Sequence, residues 1–373
     1  MDIAALSDLR QARRLVIKVG SALLVDKGRA RTAWLASLAA EIAELRQTCE
    51  VLLVSSGAIA LGAARLGLPH GGRGSLADAQ AAASVGQVEL ARLWSDALGA
   101  QDITAAQMLV TLGDLEDRRR YLNVSATLGR LLAAGAVPVV NENDSVATEE
   151  IRFGDNDRLA ARVAAMVGAD ALVLLSDIDG LYDADPRVHP NATHIAEVSA
   201  VTPAVEAMAG TAARGYASGG MVTKLQAAKI ALAGGCHMVI ADGRDAHPLR
   251  ALLAGARCTW FVASAAPHSA RKRWIAGSLK PKGALRVDDG ARRALRDGRS
   301  LLPVGVANVT GRFERGDLVT IRASDGCELG RGLCAYSSDD AVLIAGHKTS
   351  EIENILGYRG RDEIIHRDDL VLD

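Results

Sequence analysis

Two polar clusters lie ten residues apart in the stretch VPVVNENDSVATEEIRFGDNDRLAARVAAM: Asn141-Glu142-Asn143-Asp144 and Gly154-Asp155-Asn156-Asp157. The first closes an apolar run, Val137 to Val140. The second opens a segment in which Leu159, Val163 and Met166 recur at helical spacing. A buried strand that ends in amides and carboxylates opens at its carboxyl end into a site. Such a loop suits a small polar ligand and its cations. Asp155 or Asn156 is placed to cap the helix that follows. A second set of candidates is cationic. Lys18 interrupts the apolar run Leu15 to Val19 and is followed at once by Gly20-Ser21. Either it sits at a sheet edge, or its ammonium emerges beside the glycine turn and reaches a phosphate. Ser218-Gly219-Gly220-Met221 enters a helix that carries Lys224, and its amides could hold phosphates from the side opposite Lys18. Val51 to Val54 ends in Ser55-Ser56-Gly57-Ala58, where small residues allow a tight turn and also let backbone N–H groups approach an anion. A lone glycine loop says little. Two lysines and two Asn/Asp clusters on loops of one α/β face say more.

These residues need strands that end together and helices that start there. The pattern provides both. A helix is expected from about Thr32 to Arg46, with Leu35, Leu38, Ile42 and Leu45 on one face. Further helices are expected over Ala79 to Leu98, Tyr121 to Ala134 and Pro203 to Met208, and strands over Ile103 to Leu109 and Ala171 to Leu175. Met238 to Ala241 reads as a final strand. Asp114 to Arg120 is a charge run, expected as a solvated face or a subunit contact. Alternating strands and helices with polar strand ends predict a doubly wound α/β domain over residues 1–262, its mainly parallel sheet covered by helices on both faces. Residues 263–279 read as a linker containing Arg271-Lys272-Arg273. Residues 280–373 read as a small β-rich domain, with short runs at Ala284 to Val287, Val304 to Val309, Leu318 to Arg322 and Gly332 to Tyr336. Asp288-Asp289-Gly290, Thr310-Gly311 and Asp325-Gly326 read as its turns.

Composition fits that plan. Hydrophobic residues make up 49% of the 373 positions and aromatics only 3%, so the core is built of Ala, Val, Leu and Ile. The net charge of -1 gives no overall pull toward nucleic acid or an anionic membrane. Five scattered cysteines without a C-x-x-C pair argue for a reducing compartment and against a structural zinc. Without a signal-peptide core or a membrane-length apolar run, a cytoplasmic protein with no membrane contact is expected. No G-x-x-x-x-G-K-[ST] occurs, which excludes a Walker-type site, and no G-x-G-x-x-G follows a strand, which argues against a Rossmann site.

IKVGSALL, VSSGAIALG, NENDSVA, FGDNDRLAA, GLYDADPR and SGGMVTK, in this order, resemble the amino acid kinase superfamily and, more narrowly, the bacterial glutamate 5-kinase family. LLPVGV and GRFERGD in the tail are similar to the PUA domain appended in many members. Ser176 and Ser218 stand where Thr is usual, and both keep a hydroxyl. The resemblance implies an αβα sandwich that transfers the γ-phosphoryl group of ATP, with Mg²⁺, to the side-chain carboxylate of L-glutamate. It implies that Ser56, Asp144 and Asn156 bind glutamate, and that Ser176, Asp177 and the loop Ser218, Gly219, Gly220, Met221, Val222, Thr223 and Lys224 contact the nucleotide together with Lys18. Lys18 and Lys224 would clamp the moving phosphoryl group while Asp157 orients both ammoniums. Phosphate oxygens and water would hold the metal, with no protein ligand set. Proline is expected as a feedback inhibitor, and a homo-oligomer is expected. Two other readings are a nucleoside monophosphate kinase of the same fold, which would need arginines around its acceptor, and an RNA-binding protein acting through the tail. The tail carries 15 Lys and Arg against 16 Asp and Glu, which implies only weak RNA contact.

Overall fold

A computed structural model describes residues 6–146, 156–210, 220–267 and 280–372. The chain divides into two compact units. One is Met1–Leu115 with Val124–Pro267, the other Glu116–Asn123 with His268–Asp373.

The first unit is built on an eight-stranded sheet. In chain order its strands are β1 (Arg14–Val19), β2 (Glu50–Ser55), β3 (Ala105–Val110), β4 (Val137–Glu142), β5 (Ala171–Ser176), β6 (Glu197–Val198), β7 (His237–Asp242) and β8 (Cys258–Phe261). In space they run β6-β8-β7-β5-β1-β2-β4-β3. β1 pairs in parallel with β2 on one side and β5 on the other, so Lys18 faces Val54 and Leu174 in an interior strand. It is not an edge lysine. Parallel pairing continues from β2 to β4, β4 to β3 and β5 to β7, and strands buried on both faces read as near-continuous apolar runs. β8 runs antiparallel to β7. The expectation that β7 is the last strand is therefore corrected: Thr259, Trp260 and Phe261 are buried and complete the sheet beside it.

The chain leaves β1 for strands on one side of it and returns to β5 on the other, so the carboxyl ends of β1, β2 and β5 flank a topological switch point. Small residues sharpen the junction. Only Gly20 separates β1 from helix α1 (Ser21–Leu24), and only Ser56 and Gly57 separate β2 from α3 (Ala58–Leu66). Ser56 N–H donates to the Val19 carbonyl at 3.1 Å, and Trp94 Nε1 donates to Ser55 Oγ at 2.8 Å. Trp94 belongs to α4 (Leu76–Gly99), which crosses α3 backbone against backbone. A Cβ added to Gly62 would lie 1.8 Å from the Ala82 carbonyl oxygen, and one on Gly86 would lie 1.8 Å from that of Ala58. Only glycine fits there.

The second unit holds a five-stranded sheet. Its strands are β9 (Gly283–Val287), β10 (Val306–Gly311), β11 (Leu318–Arg322), β12 (Glu328–Leu333) and β13 (Leu370–Leu372), ordered β10-β9-β11-β12-β13. Leu285, Val319, Ile321, Phe313 and Tyr336 pack its core. Asp288-Asp289-Gly290, expected as a turn, instead begins a helix: the Asp288 carboxylate accepts from Ala291 N–H at 2.7 Å. The charge run contributes to this unit, with Arg118 3.5 Å and Lys282 2.9 Å from Asp317. The linker expected at 263–279 falls largely outside the described residues.

Candidate active site

Lys18 is the fifth residue of β1, and its side chain is only 7% exposed. An ammonium so enclosed needs a counter-charge. Asp157, in the first turn of helix α6 (Asn156–Val167), supplies it, with Oδ1 2.7 Å from Lys18 Nζ. Helix α7 (Met221–Ala233) packs beside α6 and delivers Lys224, whose Nζ lies 3.3 Å from Asp157 Oδ2. Thr223 Oγ1 lies 3.0 Å from the same oxygen. Burial pushes the Asp157 carboxyl pKa upward. Lys18 and Lys224, helped by hydrogen bonds from Lys18 and Thr223, outweigh that and hold it well below the usual carboxylate range. One carboxylate therefore fixes two buried ammoniums, one from the strand and one from the helix.

Asn156 begins α6 without capping it. Its Nδ2 instead donates to Ser56 Oγ at 2.7 Å and to Asn141 Oδ1 at 3.0 Å, and Asn141 in turn donates to Gln87 Oε1 at 2.8 Å. The capping expectation is corrected for Asn156, because a network to β2 and β4 takes its amide. Asp155 lies outside the described residues. Asn156 Oδ1 is buried and has no hydrogen-bond partner among the described residues, which leaves its acceptor capacity unused there.

These residues meet in a cavity of about 370 Å³ whose wall includes Lys18, Lys224, Ser56, Asn156, Asp144, Ser176 and Asp177. Ser176 Oγ lies 3.2 Å from Asp177 Oδ1, at the end of β5. At another part of the wall, burial pushes the Asp144 carboxyl up to about 6, against the pull of the Arg73 guanidinium. Helix α3 starts on this wall from Gly57, and α7, whose Lys224 lines the same wall, starts from Gly220; neither has a side-chain cap. Their first N–H groups and positive dipole ends favour anions. Among the sequence-predicted nucleotide contacts, Gly220 caps α7, Met221 and Val222 are half-buried in its first turn, and the Thr223 hydroxyl is engaged with Asp157. Ser218 and Gly219 lie outside the described residues. Sequence reasoning missed Arg73, which lines the cavity. Its signal was a single arginine in the glycine-rich run His70-Gly71-Gly72-Arg73-Gly74.

The chain matches the model of the amino acid kinase family over residues 13–242 and that of the PUA domain over residues 283–356. It is 58% identical over 368 residues to a glutamate 5-kinase of Bradyrhizobium diazoefficiens, covering 98% of each chain. It is also 58% identical over 371 residues to that of Paramagnetospirillum magneticum, covering 99% of this chain and 100% of the relative. Among solved structures it is similar to a UMP kinase from Bacillus anthracis, with a TM-score of 0.46 and 15% identity over 68% of this chain and 97% of that one.

Proposed function

Because the chain belongs to the glutamate 5-kinase family of amino acid kinases, we infer that it transfers the γ-phosphoryl group of ATP to the side-chain carboxylate of L-glutamate, the step that commits glutamate to proline biosynthesis. The observation that carries the mechanism is the pair of buried lysines bridged by Asp157 on a cavity that also holds Asp144 and Asn156.

The acceptor carboxylate is already ionised at neutral pH, so it attacks phosphorus without a general base. What remains is to bring two anions together and neutralise the charge that develops between them, which is largely electrostatic work. Lys18 and Lys224 contact the transferring group, and Asp157 keeps their ammoniums fixed so that little reorganisation accompanies the transfer. The open amino ends of α3 and α7 add positive potential. Asp144 pairs with the α-ammonium of glutamate, Asn156 Oδ1 accepts from the same group, and Ser56 holds a carboxylate oxygen. Ser176, Asp177 and the residues from Ser218 to Lys224 hold the nucleotide.

The described residues include no group of three or more His, Cys, Asp or Glu that could cage a metal. Asp177, on the cavity wall, would offer one contact to Mg²⁺ carried in on nucleotide phosphates and water. When bound, Mg²⁺ would offset phosphate charge. Every residue lining the cavity belongs to the first unit, so catalysis is assigned to that unit. Proline shares the α-amino acid head and would compete for the Asp144 end of the cavity.

The test is coupled ATP turnover with L-glutamate, L-aspartate, N-acetylglutamate and UMP offered in parallel. Turnover with L-glutamate alone is expected; preference for any other acceptor would contradict the assignment.

A further inference from the structure

Arg73 has no part in the mechanism above, yet the local backbone is shaped around its delivery. His70, Gly71 and Gly72 take three successive left-handed φ values of 53°, 62° and 74°. Such a run is unfavourable for a residue with a Cβ, and His70 adopts it nonetheless. Gly72 is buried at the junction of α3 and α4, where an added Cβ would lie 2.9 Å from the Ala63 Cβ and 3.1 Å from the Ala82 Cβ. The wedge pins the loop, Arg73 N–H donates back to the His70 carbonyl at 3.3 Å, and Ser75 then caps α4 through Asp78 N–H at 3.0 Å. Between the wedge and the cap, Arg73 lines the same cavity as Asp144, Asn156 and Ser56.

Charge distribution gives this placement meaning. The cations of the cavity wall are Lys18, Lys224 and Arg73. Both lysines turn to Asp157, whereas Arg73 acts electrostatically on Asp144. A carboxylate and a guanidinium on the wall of one cavity form the complement of an α-amino acid head, which presents an ammonium next to a carboxylate. A guanidinium meets a carboxylate through two parallel N–H bonds, a geometry an ammonium cannot copy.

We propose that Arg73 binds the α-carboxylate of the acceptor, so that Arg73 and Asp144 together read the zwitterionic head of the amino acid while the lysine pair holds the phosphoryl group passed to its side chain. This deepens, and rests on, the reading of the cavity as the glutamate site. It makes Arg73 a specificity-determining residue. The favoured acceptors carry an α-carboxylate, an α-ammonium and a distal carboxylate. 4-Aminobutyrate, which is glutamate without its α-carboxylate, is then disfavoured because it cannot make that pair with the guanidinium.

The experiment compares L-glutamate and 4-aminobutyrate as acceptors for the wild-type chain, Arg73→Gln and Arg73→Lys, with acyl phosphate trapped as the hydroxamate. Loss of a charge-assisted pair of this kind is worth about 100-fold. Arg73→Gln is expected to raise the KM for glutamate about 100-fold while the KM for ATP stays within a few-fold of wild type. Its preference for glutamate over 4-aminobutyrate should fall by a similar factor, with Arg73→Lys between the two. A glutamate KM within threefold of wild type in Arg73→Gln would overturn the proposal, as would a loss that is equal for both acceptors. Failure of the wild-type chain to phosphorylate glutamate would instead overturn the function on which the proposal rests.

Discussion

The Asp157 carboxylate, at the start of one helix, meets the Lys18 ammonium, near the end of an interior strand, at 2.7 Å, and both are sealed from solvent. Removing one member of such a pair leaves a buried charge unmatched, at a cost of about 3–5 kcal/mol. Asp157→Asn should therefore lower the denaturation midpoint. Because both lysines lose their anchor, it should also lower kcat by roughly 10²- to 10³-fold, with a much smaller change in the KM for glutamate. Stopped denaturation curves and steady-state kinetics on one preparation check both halves; an unchanged kcat would leave Asp157 a purely structural residue.

Lys18→Ala and Lys224→Ala probe the other ends of the same contacts. Each should lower kcat by roughly 10²-fold or more, the scale for removing a transition-state donor. Near-normal kcat in either variant would remove that lysine from the phosphoryl-transfer step.

Asp144 separates substrate binding from chemistry by its titration. Burial raises its carboxyl to about 6 in the free protein, and only the ionised form pairs with an ammonium. As pH falls through about 6, kcat/KM for glutamate should therefore decline, tending to tenfold per unit. At saturating glutamate the ammonium stabilises the carboxylate, so kcat should lack this inflection. Asp144→Asn should raise the KM for glutamate and flatten the acid limb. A kcat/KM profile that keeps this limb in Asp144→Asn would assign the titration to another group.

Much of this was legible in the sequence, for physical reasons that differ by residue. Lys18, Asn141, Asp144, Asn156 and Asp157 stood out because polar groups adjoining buried apolar runs must have partners, and the strand ends gave their common location. What those partners are was less legible. Asn156 read as a helix cap because its position suits one, and only the three-dimensional approach of β2 and β4 gives its amide Ser56 and Asn141 instead. Cys258–Phe261 was not legible because the short run merges into an Ala/Ser stretch, and a four-residue strand laid antiparallel beside β7 has no periodic signature. Asp288 could open a turn or a helix, and the turn-prone Asp-Gly pair pulled the reading the wrong way. Arg73 showed only as a lone arginine in a glycine-rich run, because its reach into the cavity depends on successive left-handed residues and on a wedge between two helices that only the folded chain brings together.

That wedge belongs to a helix crossing that is itself testable. A methyl group at Gly62 or Gly86 would sit 1.8 Å from a carbonyl oxygen of the facing helix, so α3 must shift. Gly86→Ala should destabilise the chain by about 1–3 kcal/mol or more. It should also raise the KM for glutamate, because the start of α3 and the Arg73 loop move together. A variant with wild-type stability would show that the crossing has slack.

Proline should raise the apparent KM for glutamate without lowering kcat at saturation, and Asp144→Ala should weaken both ligands. Inhibition that excess glutamate cannot relieve would point to a separate proline site.

The most direct measurement follows the oxygen. L-Glutamate labelled with ¹⁸O in its side-chain carboxylate is incubated with ATP, Mg²⁺ and hydroxylamine, which attacks the acyl carbon and releases phosphate together with the bridging oxygen. Attack by that carboxylate on the γ-phosphorus requires one ¹⁸O in each phosphate released in step with hydroxamate, and Lys224→Ala should suppress both. Unlabelled phosphate formed at the same rate with or without glutamate would contradict the account.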